Sequence, residues 1–162
     1  MSRTNIELDD HFVRDKKIFY PVKVEETVRF ADADIMGHVN NARYLSYFEQ
    51  ARVAYYKKLK ALDLRKMNAA TAFAFIVGEI SVKFHSPAYI DERLVIAVRI
   101  AELRTKAFRM EYEIREKKSH RLIVTGSSVQ VMYNYKKKRT FPIPASLRRK
   151  ILSLEKGHSI TR

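Results

Sequence analysis

Between Asp32 and Asn41 the chain carries two carboxylates (Asp32, Asp34), an imidazole (His38) and two carboxamides (Asn40, Asn41) within ten residues. Such side chains do acid–base and acyl-transfer chemistry, since a carboxylate can attack a carbonyl or take a proton from water. Tyr44, Phe48, Ala51, Tyr55, Leu59 and Leu62 then recur at helical spacing, which predicts a helix over about 41–62. The polar cluster therefore falls at a helix N-terminus. About half a positive charge and several free N–H groups there suit an oxygen on which negative charge develops. Asn40 or Asn41 is expected to cap the helix, because a short amide accepts from its first free N–H groups. These residue types fit acyl transfer, but alone they do not single out thioesters.

A strand must lead into this cluster. Val22, Val24, Val28 and Phe30 alternate with Lys23, Glu25, Thr27 and Arg29, with Glu26 as the polar break on the apolar face. Period two of this kind is a half-buried strand. It stops in the loop Ala31–Gly37, punctuated by glycine. Beyond the helix, strand-type alternation occupies residues 73–135. Ile80, Val82 and Phe84 form one run, closed by Pro87, and Leu94, Ile96, Val98 and Ile100 form the next. Phe108, Met110, Tyr112 and Ile114 follow; then Leu122 and Val124 lead past Gly126, a candidate bulge, to Val129–Tyr135. Phe141-Pro142-Ile143-Pro144 ends the sheet, and a short helix is predicted over Ser146–Leu154.

The order is strand, long helix, four antiparallel strands. It predicts an α+β hotdog fold, an antiparallel sheet wrapped around one long central helix, with a short C-terminal helix. Residues 1–20 read as an irregular leader, 21–156 as one domain and 157–162 as a tail. A sheet that covers its helix on one side leaves a face or edge for a second subunit, so a homodimer or homotetramer is expected.

At 162 residues, 46% hydrophobic and 31% charged, the chain suits one compact domain with a soluble surface. Met1–Asn5 runs into Glu7, Asp9 and Asp10 with no apolar stretch, which predicts a cytoplasmic protein without a secretory leader. No run approaches the roughly 18 apolar residues of a membrane span. Cysteine is absent, which removes disulfides, thiolate metal sites and a cysteine nucleophile. From Lys117 onward twelve Lys or Arg face one acid, Glu155, so this third holds +11 of the +14 net charge. Such a field attracts polyanions (nucleic acid, an anionic membrane, coenzyme A phosphates or an acidic carrier protein), and a plain solvated face is the simplest alternative.

The cluster is recognisable beyond its chemistry. His38-Val39-Asn40-Asn41-Ala42-Arg43-Tyr44-Leu45, followed by Phe48-Glu49 and Ala51-Arg52, closely resembles the 4-hydroxybenzoyl-CoA thioesterase type of hotdog acyl-CoA thioesterases, especially their long-chain acyl-CoA branch. Val82–Ala88 with Asp91, and Phe141–Pro144 before a basic helix, extend the resemblance over roughly residues 22–154. It implies a thioesterase in which Asp34, the second Asp of a D-x-D pair, is the nucleophile or the general base. It also implies that a backbone N–H at about Asn41 polarises the thioester carbonyl. The chain departs from two related patterns. Met36 stands where plant carrier-protein thioesterases have an Asn, and Asn41 where another bacterial branch has a functional His. This points to Asp34 working mainly with water and helix-end donors. His38 is left open between a polar active-site group and a loop-packing residue.

The other features divide between function and architecture. Asp32 is expected to bond loop N–H groups, Asn40 and Asn41 to cap (Asn40 also lying against substrate), and Glu49 and Arg52 to form a helix-surface or interface ion pair. The Tyr/Phe stripe is read as core, with Phe73, Phe75 and Met110 as weaker candidates for an acyl tunnel. Arg104 and Lys106, or Lys136–Arg139, are candidates for the coenzyme's phosphates. His85, His120 and His158 lack metal-ligand spacing, so no metal and no cofactor are expected. Acyl-CoA or acyl-carrier-protein thioesters are the predicted substrates. The alternative is a non-catalytic hotdog protein that binds an anionic partner through its basic third. Nucleic acid is disfavoured, because helix-turn-helix, RNA-binding aromatic and Cys/His finger signatures are all missing.

Overall fold

The computed structural model describes residues 18–60 and 73–156. β1 (Val22–Thr27) leads through a single 3-10 turn (Phe30–Asp32) to α1 (Arg43–Lys58). Then come β2 (Phe73–Phe84), β3 (Arg93–Leu103), β4 (Ala107–Glu116), β5 (Leu122–Asn134), the two-residue β6 (Arg139–Thr140) and α2 (Ala145–Leu154). The sheet runs in the order β1-β3-β4-β5-β2, with β6 on β5, and every pair is antiparallel. Sequential strands separated by three to five residues pair as hairpins, while β1 and β2, which flank the helix, end up on opposite edges.

The helical stripe becomes the core as expected. Tyr44, Phe48, Ala51, Tyr55 and Leu59 are buried on α1, against Ile96, Val98, Phe108, Met110, Tyr112 and Ile114 of the sheet. Phe48 stacks on Tyr112 at a centroid distance of 4.2 Å. Burying one such aromatic contributes roughly 1.5–3 kcal/mol. The approach is this close because position 126 has no side chain. A Cβ on Gly126 would lie 2.6 Å from the Phe48 ring and from the Ser81 carbonyl oxygen. Gly126 is therefore not the bulge its sequence context suggested, since its register with Tyr112 and Val82 is regular. The register shifts fall instead at Val77/Glu79, Ile100/Glu102 and Ile114/Arg115.

α1 is 16 residues long, shorter than its periodicity predicted. Its N-terminus starts at Arg43, and Lys60 turns left-handed (φ 51°), which ends the helix although Leu62 would continue the stripe. Leu62, like the tail and most of the leader, lies outside the described residues. The C-terminal helix is fastened from beneath: Ile151 is buried, and Glu155 Oε1 accepts from the Tyr55 hydroxyl at 2.5 Å and the Ile100 N–H at 2.7 Å. Among the described residues, no helix is long and apolar enough to cross a membrane.

Candidate active site

The loop between β1 and α1 is a small hairpin. Asp34 N–H donates to the His38 carbonyl at 3.0 Å, Asn40 N–H to the Asp32 carbonyl at 2.9 Å, and Ala33 bridges Val39. Its tip, Asp34-Ile35-Met36-Gly37, is closed by Gly37 N–H on the Asp34 carbonyl at 3.0 Å. Asp at the first position and Gly at the last suit a type I turn, and Gly37 adopts the left-handed φ of 79° that a glycine takes without strain. Val39 N–H reaches the Ala88 carbonyl at 2.8 Å, which ties the hairpin to the segment after β2.

The two aspartates, separated by Ala33, have different surroundings. Asp32 is 1% exposed. It accepts from Arg29 N–H at 2.9 Å and from the Arg29 guanidinium at 3.1 Å, and pairs with Arg43 at 2.9 Å. Burial alone would raise its pKa, but the Arg29 bonds and the charges of Arg29 and Arg43 win and hold it below the usual range. The Tyr47 hydroxyl beside it is buried; burial first, and then its interaction with Asp32, push its pKa up. Asp34 is half-buried. Among the described residues only the Met36 N–H, at 2.8 Å on Oδ1, bonds to its carboxylate. One oxygen is thus oriented and the other is open. Around it Phe30, Ile35 and Met36 are 84%, 100% and 74% exposed, an apolar surface that a lone subunit leaves in water.

The helix start follows directly. Asn40 Oδ1 accepts the Ala42 N–H at 2.9 Å, and the Asn40 carbonyl accepts from Arg43 N–H at 2.9 Å. Asn40 is thus the residue whose side chain takes up a free N–H, from just before the assigned helix. Asn41 is exposed, and its N–H donates to none of the described residues. His38 is half-buried, with Nδ1 3.3 Å from the Val39 carbonyl oxygen.

Asp34, His38, Asn40 and Asn41 therefore share one hairpin. Arg104 and Lys106 do not join them: they occupy the β3–β4 turn, whereas the Asp34 hairpin lies by the opposite end of β3, where Val28 N–H meets the Glu92 carbonyl. An 11-residue strand separates these ends by about 36 Å. Arg104 is also paired with Glu102 at 2.5 Å. Lys136–Lys138 are an exposed turn before β6. Phe75 stacks on Tyr56 at 4.7 Å, and Met110 is fully buried, so both act as core; the Phe73 side chain lies outside the described residues.

Glu49 and Arg52 do not form the expected ion pair. Glu49 is exposed, while Arg52 is only 9% exposed and turned inward against Tyr112, with Nη1 lacking a partner. Residue spacing allowed the pair, but the helix rotation puts Arg52 on the core side. Sequence reasoning also missed Arg29 and Arg43 as the clamp on Asp32. Their flanking positions around the aspartate were the available signal. Among the described residues, no group of three or more His, Asp or Glu forms a metal-holding cluster.

The chain is similar to several known proteins. The model of the thioesterase-like superfamily matches residues 28–151. The long-chain acyl-CoA thioesterase FadM of Escherichia coli is 26% identical over 80% of this chain and 96% of its own. A thioesterase from Thermus thermophilus, solved with coenzyme A and Zn, is 31% identical with a TM-score of 0.73, over 85% of this chain and 96% of that one. The fold is shared with a 1,4-dihydroxy-2-naphthoyl-CoA thioesterase from Synechocystis, at TM-score 0.74 and 23% identity over 82% of this chain and 96% of that one. With a family match over most of its length and a hotdog sheet carrying the D-x-D hairpin at its helix start, the chain belongs to the thioesterase-like superfamily.

Proposed function

We propose that this chain hydrolyses acyl-CoA thioesters with Asp34 as its reactive carboxylate and the Asn41 N–H as the donor to the thioester carbonyl. Thioester hydrolysis itself is the activity its family and named relatives carry. As general base, Asp34 takes a proton from a water whose oxygen adds to the carbonyl carbon. As nucleophile, it forms an anhydride that water then opens. Both routes break the C–S bond and release a free acid and a thiol. The observation that carries the reading is that the loop between β1 and α1 presents both an Asp34 oxygen and, at the helix start, the Asn41 N–H, with no bond to either among the described residues. Negative charge developing on the carbonyl oxygen is stabilised by that N–H and the helix end. His38 is a polar neighbour that helps hold the substrate-facing loop, and Asn40 orders the helix start.

The acyl group is fatty or aromatic, in line with the names of the Escherichia coli and Synechocystis relatives. Residues 21–156 act as one unit, working in the cytoplasm. A homodimer supports the reading best: β2 is an edge strand with Val77, Ile80 and Phe84 exposed, and the apolar rim of Asp34 needs cover. Arg104 and Lys106, remote from Asp34 of their own subunit, would meet the coenzyme phosphates only across such an assembly.

The test is thiol release from a panel of fatty and aromatic acyl-CoAs, comparing the wild type with Asp34→Asn. The reading expects turnover by the wild type and a fall of about 10²–10⁴ in the variant. Absence of turnover on every acyl-CoA and carrier-bound thioester would contradict it.

A further inference from the structure

At the end of α1 remote from Asp34, a groove of about 850 Å³ opens between the Phe19–Pro21 segment, the helix end and α2. A 16-residue helix sets it about 24 Å along the axis from the helix start that faces Asp34. Its size falls within the range of small-molecule sites.

Among the described residues, five cations line it (Lys58, Lys60, Arg149, Lys150 and Lys156) and no acidic side chain does. The neighbouring Glu155 is turned into the core, at 1% exposure. What the cations touch is neutral: Lys58 Nζ donates to the Pro21 carbonyl at 2.7 Å, Lys150 Nζ to the Lys60 carbonyl at 3.5 Å, and Lys156 Nζ lies 5.2 Å from the Phe19 ring centre. Helix C-termini account for Lys58 and Lys156, because cations complement that end of the dipole. They do not account for Arg149, which stands mid-helix on α2 and faces the same cavity. Like charges gathered with no counter-charge among the described residues favour an anionic ligand.

The rest of the lining narrows the ligand. Leu59, Leu154, Pro21 and Phe19 give the groove an apolar floor beside its cations. A single-stranded nucleic acid would want aromatic faces for stacking, but the Phe19 ring already carries Lys156. A charged rim over an apolar floor fits an amphiphile.

We propose that this groove is a second binding site, which takes the phosphate head of an acidic phospholipid and seats the protein on an anionic bilayer. The phosphate lies among Lys60, Arg149 and Lys150, and the glycerol and first methylenes lie on Leu59 and Leu154. The site is independent of the hydrolytic centre and does not rest on how Asp34 works.

The experiment is co-sedimentation of the full chain with phosphatidylcholine vesicles, with and without phosphatidylglycerol. The variants are Arg149→Glu/Lys150→Glu in the groove and Lys136→Glu/Lys137→Glu on the β5–β6 turn, an equal change in net charge elsewhere. Lys60→Glu serves as a second groove variant should the α2 pair fail to fold. The wild type should partition onto the acidic vesicles only. The groove variant should lose at least about tenfold in partitioning and the turn variant less than about twofold. Acyl-CoA hydrolysis in vesicle-free solution should be unchanged in the groove variant. Equal losses from the two pairs would reduce the effect to bulk charge and overturn the proposal. Indifference to phosphatidylglycerol would overturn it too. Displacement by inorganic phosphate at matched concentration would mean a free-phosphate site, and duplex DNA binding with the same loss would mean a nucleic-acid surface; either result rejects the lipid.

Discussion

At the N-terminal end of α1, Asp34 stands half-buried with a single N–H on one oxygen and exposed apolar side chains around it. Near the opposite end, Glu155 is 1% exposed, with the Tyr55 hydroxyl and the Ile100 N–H on Oε1. The same functional group thus holds a single bond in one region and two buried bonds in the other. A saturated buried carboxylate stabilises the fold, and releasing it would cost the desolvation of everything bonded to it. An uncommitted carboxylate adds little to stability, and for that reason it remains available to a substrate. Asp32 shows that the contrast concerns surroundings and not sequence position. It is two residues from Asp34, yet Arg29 and Arg43 tie it down as firmly as Tyr55 ties Glu155.

If this division is right, damage at the two ends should appear in different measurements. Glu155→Ala leaves the Tyr55 hydroxyl and the Ile100 N–H facing a cavity, and should lower unfolding free energy by about 2–5 kcal/mol. Chemical denaturation reports that loss, while kcat per folded molecule should hold. Gly126→Ala is the next largest expected effect. Its Cβ would press on the Phe48 ring and the Ser81 carbonyl at 2.6 Å. Overpacking of that kind costs about 1–3 kcal/mol, readable as a lower melting temperature.

The smallest effect concerns pH. Ser119 Oγ–H and the N–H groups of Lys118 and Ser119 donate to Glu116 and pull its pKa down to about 2. A folded pKa below the unfolded value gives stability that is present above the unfolded carboxylate range and is lost as pH falls toward 2. Glu116→Gln should therefore flatten the fall in melting temperature between neutral and strongly acidic pH. An unchanged pH slope would mean that the β4–β5 turn does not contribute as described.

Strand periodicity was the strongest signal in the chain. β3 and β4 fall where Leu94–Ile100 and Phe108–Ile114 alternate, because each has one face on the core. The helix start was readable from Asn40, whose side chain can reach only local N–H groups. The helix end was not, since Leu62 keeps the period while the left-handed Lys60 breaks the backbone, and a lysine gives no advance sign of that conformation. Arg52 misled for a related reason: i,i+3 spacing brings it near Glu49 but does not say which side of the helix the guanidinium takes. Gly126 was noticed for the wrong cause, because the ring that needs its space lies 78 positions earlier, at Phe48. At the site, the motif is what singles out Asp34 for the proposed role. That Asp32 would be the engaged partner was visible only as a choice between two similar residues, which three-dimensional contacts with Arg29 and Arg43 decide.

The most direct test is the rate of thiol release by folded Asp34→Asn on an acyl-CoA that the wild type hydrolyses, with the melting temperature recorded on the same sample. The account predicts a fall of about 10²–10⁴ in kcat/KM with a melting temperature close to wild type. A variant that remains as active as the wild type would place the chemistry elsewhere and contradict the assignment of Asp34.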